Sequence, residues 1–386
     1  MSPASFMGHP LILIVAGDPS GDLHGSHLAR ALRREGARVA AVGGPLLRLE
    51  ADEFIEDLAS RGLTGFWEPL AKLGFLVRLA LRLKRFLKAR RPAAMVCIDY
   101  YGFNRRALAL AKSAKVPAFY YISPQVWASR AGRVRALKKF VRSMLVIFPF
   151  EERLYRQAGV NCTFVGHPLL DLAPQPPAKR LLQPPLKLGL LPGSRASEVN
   201  RHLPLFLESL RLIRRQFPQS QATVFASPNL PDSAYAAAVA AGCELVRELG
   251  YRRRAELDLA LCSSGTATLE NALLGLPMVV VYKLSWPTYA VARSLIRVRH
   301  IAMANILAGR TLVPELIQRR ATPPDVARAA RELLEDPRRY ARVRQDLIAL
   351  RPLLGKPGAT QRAALAILAD LRTDSGPAGA RERPQP

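Results

Sequence analysis

Two apolar patterns alternate along the chain. Short, nearly continuous apolar runs occur at Leu11–Ala16, Arg38–Val42, Met95–Asp99, Ala118–Ile122 and Met144–Phe148. Between them lie segments with helical patterns, such as the one through Leu28 and Leu32. Continuous runs predict strands buried on both faces, and the segments between them predict covering helices, so the pattern is that of a parallel sheet. Residues 173–187 (APQPPAKRLLQPPLK) carry five prolines and predict an interdomain linker. The alternation resumes at Leu188–Leu191, Ala222–Ala226, Leu257–Leu261 and Pro277–Tyr282. The expected architecture is therefore α/β, with two Rossmann-like doubly wound domains at 1–172 and 188–350. Ligands of such sheets bind outside the C-terminal strand ends, which points to a cleft that both domains face. Residues 356–371 read as a helix that returns to the first domain, and the tail 373–386 reads as disordered.

Composition narrows the function. The chain has 386 residues, 49% hydrophobic and 23% charged, which suits a globular protein of about two domains. Its net charge of +27 favours polyanionic partners: nucleic acid, an anionic lipid surface or phosphorylated substrates. The basic stretch Arg130–Arg142 has no RNA-binding aromatic motif around it, so nucleic acid is not expected. No run is long and apolar enough to span a bilayer, and Leu11–Ala16 is too short for a signal segment. A cytoplasmic location is expected, with any membrane contact peripheral, on the inner face of the membrane. Cys97, Cys162, Cys243 and Cys262 form no C-x-x-C pair and read as reduced thiols. His24 and His27 lack a third ligand, and there is no Asp-x-Asp pair, so no metal is expected.

Five segments carry candidate chemistry. Gly17-Asp18-Pro19-Ser20-Gly21-Asp22 follows the first strand. It is neither a dinucleotide fingerprint nor a Walker loop, so no NAD or ATP cofactor is indicated. Its two acids suit sugar hydroxyls better than a pyrophosphate, and the same residues also make a plain capped turn. Asp99 ends an apolar strand, where a desolvated carboxylate can act as a general base or simply cap the next helix. Gly193, Ser194 and Arg195 open a helix after the first strand of the second domain, offering amide N–H groups and a guanidinium to phosphate oxygens. Ser264, Gly265 and Thr266 repeat that arrangement, and Glu270 lies one turn on, within reach of ribose hydroxyls or on a solvated face. Finally, Leu76, Leu79, Leu83 and Phe86 share one helix face with Arg78, Arg82 and Arg85 beside it. Such a helix can lie on an anionic lipid surface or pack on a core.

These residues together resemble the bacterial lipid-A-disaccharide synthase family. The matching blocks are AGDPSGD at Ala16–Asp22, Ile98-Asp99, Phe103-Asn104, YISPQVWA at Tyr121–Ala128 and VGHP at Val165–Pro168. LPGSR at Leu191–Arg195, SGTATLE at Ser264–Glu270 and NILAGR at Asn305–Arg310 complete the set. The resemblance implies a GT-B glycosyltransferase fold. It implies inverting, metal-independent transfer of 2,3-diacylglucosamine from its UDP conjugate to 2,3-diacylglucosamine 1-phosphate, with no cofactor. Asp99 would take the acceptor's proton. Arg195 and the two helix starts would stabilise the departing UDP, Glu270 and Asn305 would hold the nucleoside, and Arg310 would assist the phosphate. Asp18, Ser20, Asp22 and Asn104 would lie on the acceptor side. The family can exchange C-terminal segments, so the resemblance admits a homodimer. Tyr100-Tyr101-Gly102 and Ser129 depart from the family's pattern near the acceptor half. They keep open a diverged enzyme with a UDP-sugar and another lipid acceptor. A non-catalytic membrane-surface protein is the remaining alternative.

Overall fold

A computed structural model describes residues 9–61, 73–124, 134, 137–176, 182–248, 250–285, 289 and 299–374. Gln125–Ala128 of the YISPQVWA block, Ser129, most of Arg130–Phe140, part of the Pro-rich segment and the tail from residue 375 lie outside these. The chain forms two compact units. One holds the residues up to Pro168 together with those from Pro357 onward, and the other holds Leu169–Lys356. The boundary thus precedes the Pro-rich segment, because Leu169–Leu172 already forms a helical turn of the second unit.

The first unit is a seven-stranded sheet in the order β3-β2-β1-β4-β5-β6-β7. Its strands are β1 (Leu11–Ala16), β2 (Arg38–Gly43), β3 (Glu53–Asp57), β4 (Ala94–Ile98), β5 (Ala118–Tyr121), β6 (Ser143–Val146) and β7 (Cys162–Phe164). All pair in parallel, and Ile12 of the central β1 sits between Val39 and Ala94. The apolar residues of β1 and β4 are almost wholly buried, as double coverage by helices requires. The covering helices include α1 (Pro19–Arg34), α2 (Pro45–Glu50), α3 (Leu73–Arg90), α4 (Tyr101–Ser113) and α5 (Pro149–Gln157). Asp18 caps α1, Pro19 begins it, and Arg33 and Arg34 close it, each end matching the helix dipole. The short outer strands β3 and β7 carry no continuous apolar run, which is usual at sheet edges and left them without a sequence signal.

The second unit repeats the plan. Its sheet runs β10-β9-β8-β11-β12-β13, again parallel. The strands are β8 (Lys187–Leu191), β9 (Gln221–Phe225), β10 (Glu244–Val246), β11 (Leu259–Ser263), β12 (Met278–Tyr282) and β13 (Glu315–Ile317). Helices α6 (Ala196–Arg214), α7 (Thr266–Leu273), α8 (Met303–Ala308), α9 (Pro323–Leu334) and α10 (Pro337–Ile348) surround it. The last helix, α11 (Ala359–Asp374), belongs to the first unit and packs on α1. Gln361 bonds Glu35 at 2.7 Å, Arg362 bonds the Val165 carbonyl at 2.8 Å, and Arg142 pairs with Asp370. The helix runs through Asp374, so the segment read as a tail from Thr373 starts inside a helix.

The face of α3 read as a lipid contact is core. Leu76, Leu79 and Leu83 are buried in one apolar cluster with Leu13, Val15 and Met95 of the sheet, and Phe86 is packed partly against the same cluster. A lone periodicity cannot tell a helix resting on its own sheet from one resting on lipid. Arg82 is drawn to Glu56, while Arg78 and Arg85 stay exposed. All four cysteines are buried and free. No helix among the described residues is long and apolar enough to cross a membrane.

Candidate active site

In the first unit the candidate residues gather where β1 and β4 end, at the point where the strand order reverses. Gly17 must be glycine: a Cβ there would lie 2.1 Å from the Tyr100 ring. Asp18 follows, and its Oδ1 accepts from the Gly21 N–H at 2.7 Å and the Ser20 hydroxyl at 3.3 Å. Asp99 leaves β4 with φ +46°, a left-handed conformation that a non-glycine residue holds only when its surroundings impose it. They do. The Asp99 N–H donates to the Ile122 carbonyl at 3.1 Å, and the Tyr120 hydroxyl donates to the Asp99 carbonyl. Asn104, fully buried in α4, donates its Nδ2 to the Ile98 carbonyl at 3.0 Å and to that of Asp99 at 3.5 Å.

The Asp99 carboxyl is pushed up to about 8. Burial is the main cause; the charges of Asp18 and Glu151 add to it, and the Ser20 hydroxyl opposes it. Glu151 is buried on α5, accepting from the Ser123 hydroxyl at 2.6 Å and the Phe148 N–H at 3.2 Å. A carboxyl held near neutrality at a sheet's C-terminal edge is suited to proton abstraction. Sequence alone did not single out Glu151, Ser123 or Tyr120. Glu151 follows Pro149 as an ordinary first-turn helix acid, and only the order of β4, β5 and β6 brings it near Asp99.

Asp22 is engaged elsewhere. Its carboxylate accepts the N–H groups of Gly44 at 2.7 Å, Leu46 at 3.0 Å and Leu47 at 3.0 Å, holding the start of α2. Asp22 is thus a structural cap and not a hydroxyl contact of an acceptor. Behind the site, His24 and His167 are buried, and desolvation lowers them to about 4 and about 3, so both are neutral at ordinary pH.

In the second unit the matching ends of β8 and β11 carry the other group. Gly193 has φ +124°, and a Cβ there would meet Glu198 Oε2 at 2.5 Å. Glu198 reaches back over the loop. It accepts from the Ser194 N–H at 2.9 Å and pairs with Arg195 at 2.9 Å. The amide N–H groups expected to face a phosphate thus face this carboxylate, an internal acid at the site read as an anion cradle. Glu198 stands three residues after Arg195 in the sequence, and only the fold of the loop brings it over the amides. The second loop is open: Gly265 and Thr266 are exposed, and Ser264 is tied back to the Ile301 carbonyl at 3.0 Å. Glu270, on α7, accepts from the Tyr251 hydroxyl at 3.1 Å and pairs with Arg254.

Two expected contacts are not brought there. Asn305 is fully buried and spends its side chain internally, donating to Val313 O at 2.9 Å and Glu315 at 2.7 Å and accepting from Leu312 N at 2.7 Å. It braces the loop into β13, with no donor left over for a nucleoside. Arg310 pairs with Asp346 of α10 at 3.0 Å, in a surface cavity of about 560 Å³ beside the start of β13. A missed residue is His202, whose Nδ1 lies 2.9 Å from the Pro192 carbonyl and whose Nε2 accepts from the Lys283 N–H at 3.2 Å. It ties the Pro192–Arg195 loop to the end of β12. Among the described residues, no three His, Cys, Asp or Glu side chains come together as a metal site.

Comparison with known proteins agrees with this layout. The chain is 18% identical, at a TM-score of 0.61, to the calicheamicin glycosyltransferase CalG4, covering 96% of this chain and 100% of that one. It is 16% identical, at 0.58, to MurG of Acinetobacter baumannii, covering 93% and 99%. Both likenesses are of fold, and the fold is GT-B. Lipid-A-disaccharide synthase of Syntrophus aciditrophicus (strain SB) is 42% identical over 379 residues, covering 94% of this chain and 98% of that protein. The lipid-A-disaccharide synthetase family model matches residues 12–369. With two Rossmann-like sheets, a general-base candidate on one and candidate anion-binding loops on the other, the chain belongs to the lipid-A-disaccharide synthase family of GT-B glycosyltransferases.

Proposed function

We propose that the protein transfers 2,3-diacylglucosamine from UDP-2,3-diacylglucosamine to the 6-hydroxyl of 2,3-diacylglucosamine 1-phosphate. The products are the β-1,6 disaccharide 1-phosphate and UDP. Family membership gives the reaction class, and the setting of Asp99 carries the assignment of roles. As the acceptor oxygen attacks the anomeric carbon, its proton passes to the Asp99 carboxylate. The bond to UDP breaks on the opposite face. Asp18 and Ser20 flank the base and meet sugar hydroxyls, while Asn104 supports the backbone of Asp99. On the donor side, Arg195 and the amides of Gly193–Ser194 and Gly265–Thr266 receive the diphosphate as negative charge collects on it. For Arg195 and Ser194 to do so, Glu198 has to give way. Glu270 holds the ribose.

Acceptor-dependent UDP release in EDTA tests this reading with the full chain. Release that survives EDTA and collapses in Asp99→Ala supports it. Tight UDP binding without release would point to another lipid acceptor, with Tyr100-Tyr101-Gly102 as the altered region.

Membrane contact belongs to the outer face of α3. There Leu73, Val77 and Leu81 are 47%, 48% and 50% exposed, beside the exposed Arg78, Lys84, Arg85 and Lys88. The exposed apolar and basic side chains support binding to the anionic cytoplasmic surface, where each basic side chain contributes about 1 kcal/mol. Val77→Ser with Leu81→Ser is expected to lower sedimentation with anionic vesicles and leave Tm unchanged. Equal sedimentation would remove this face from the reading. An exchanged dimer would use the α1–α11 contact between copies, and light scattering at dimer mass tests it.

A further inference from the structure

Glu270 is held from two sides. The Tyr251 hydroxyl donates to Oε1 at 3.1 Å, and Arg254 Nη1 pairs with Oε2. Arg254 itself is fixed by two rings, its guanidinium carbon lying 5.4 Å from the Phe225 centroid and 5.5 Å from that of Tyr251. Its Nε is buried and finds no hydrogen-bond partner, so the rings, more than its own hydrogen bonds, set the plane of the guanidinium. The side chains are largely enclosed, 13% exposed for Arg254 and 19% for Glu270. The carboxylate cannot turn about its terminal torsion without losing one partner. Arg254 cannot follow such a turn without leaving the rings. An ionised carboxylate has about four acceptor positions, so with one taken on each oxygen, one on each stays open to a ligand.

We propose that Tyr251 and Arg254 are positioning residues that aim Glu270 at the two adjacent ribose hydroxyls of the nucleotide donor, and so set the preference for a ribonucleotide. This rests on the reading of Glu270 as the ribose contact. A carboxylate free to rotate would meet a pair of hydroxyls only part of the time. One fixed by an arginine and a tyrosine presents both open positions together. Phe225, at the end of β9, takes part through the Arg254 guanidinium alone.

Calorimetric titration of the full chain with UDP and with 2′,3′-dideoxy-UDP tests the proposal. The unmodified protein is expected to prefer UDP. Arg254→Met should weaken UDP binding about tenfold, the scale of one hydrogen bond to a charged group, with dideoxy-UDP binding unchanged. Arg254→Lys should restore part of the preference. Tyr251→Phe keeps the ring and removes one hydroxyl, so it reads the same ratio if Arg254→Met does not fold. Equal loss for both nucleotides would reduce the pair to fold support, and tighter UDP binding would make Arg254 a competitor of the ribose. Either overturns the proposal. No preference in the unmodified protein, or an undiminished one in Glu270→Gln, overturns the ribose reading and the proposal with it. A preference lost in Glu270→Gln but kept in both Arg254→Met and Tyr251→Phe rejects the proposal alone.

Discussion

The two sheets have the same strand order around their centres, and the same topological point carries opposite chemistry in each. Where β1 and β4 end, acids crowd together: Asp18 and Asp99 meet the field of Glu151, and one carboxyl is driven toward neutrality. Where β8 and β11 end, amides and guanidinium groups collect, and each acid there has a cationic partner, Glu198 with Arg195 and Glu270 with Arg254. Topology places a site at the C-terminal edge of a doubly wound sheet, but the side chains decide what it does. Acids crowded beside one another raise a carboxyl toward neutral pH, whereas acids paired with arginine are fixed in place.

Substitutions at the two edges should therefore fail in different ways. The largest effect is expected for Asp99→Asn, a fall in kcat of about 10²–10⁴ with UDP affinity kept. Arg195→Met should do the reverse, weakening UDP by roughly tenfold or more. If steady-state kinetics with UDP titration showed Asp99→Asn losing nucleotide affinity instead, the division of labour would be wrong. Next comes Tyr120→Phe, which removes the hydroxyl bond to the strained Asp99 turn while leaving the ring in the core. A drop of about tenfold in kcat is expected, the scale of one buried hydrogen bond, with little change in KM. A change in KM alone would mean that the turn serves binding.

The pH dependence sharpens the contrast. Asp99 must be ionised to act and its pKa is raised to about 8, so kcat/KM should climb as pH rises through that region. Glu151→Gln removes one of the charges raising it and should move the rise to lower pH, while Arg195→Met should leave the midpoint in place. The last effect is on stability. His24 and His167 are held neutral, with values in the fold below their ordinary 6.5. Their contribution is whole above about pH 6.5 and is lost as pH falls toward 4 and 3, at about 1.4 kcal/mol per pH unit for each histidine. Melting curves from pH 7 to 5 should show the first unit weakening. Pairing His167→Phe with His24→Phe should flatten the slope.

Much of this was legible in the sequence. Buried strands announce themselves by continuous apolar runs, so β1, β4, β8 and β12 could be placed before any coordinates. The loops after them could be read because glycine and small hydroxyl residues follow directly. Pairing was harder to read. Asp22 by its residue type and Asn305 by the family resemblance are expected as ligand contacts, yet each meets the backbone of a neighbouring loop, a long-range choice that no local pattern records. The α3 helix shows the same limit. Leu76, Leu79 and Leu83 and the outer Leu73, Val77 and Leu81 form two apolar stripes on one helix, and only packing decides which faces inward. Glu151 and Arg254 acquire their roles from strands far away in sequence.

The placement of α11 has a consequence for biosynthesis. Ribosomes make the chain from its N-terminus, and domains tend to fold as they emerge. The second unit has all its residues once Lys356 has appeared. The first unit, though begun earlier, lacks α11 until Asp374 has been added. Until then the α1 surface that α11 covers is bare, open to the same helix of another nascent copy. The half of the enzyme that carries the proposed base is thus the last to be finished, and a chain cut short before Ala359 would keep the loops proposed for the nucleotide and leave that half incomplete.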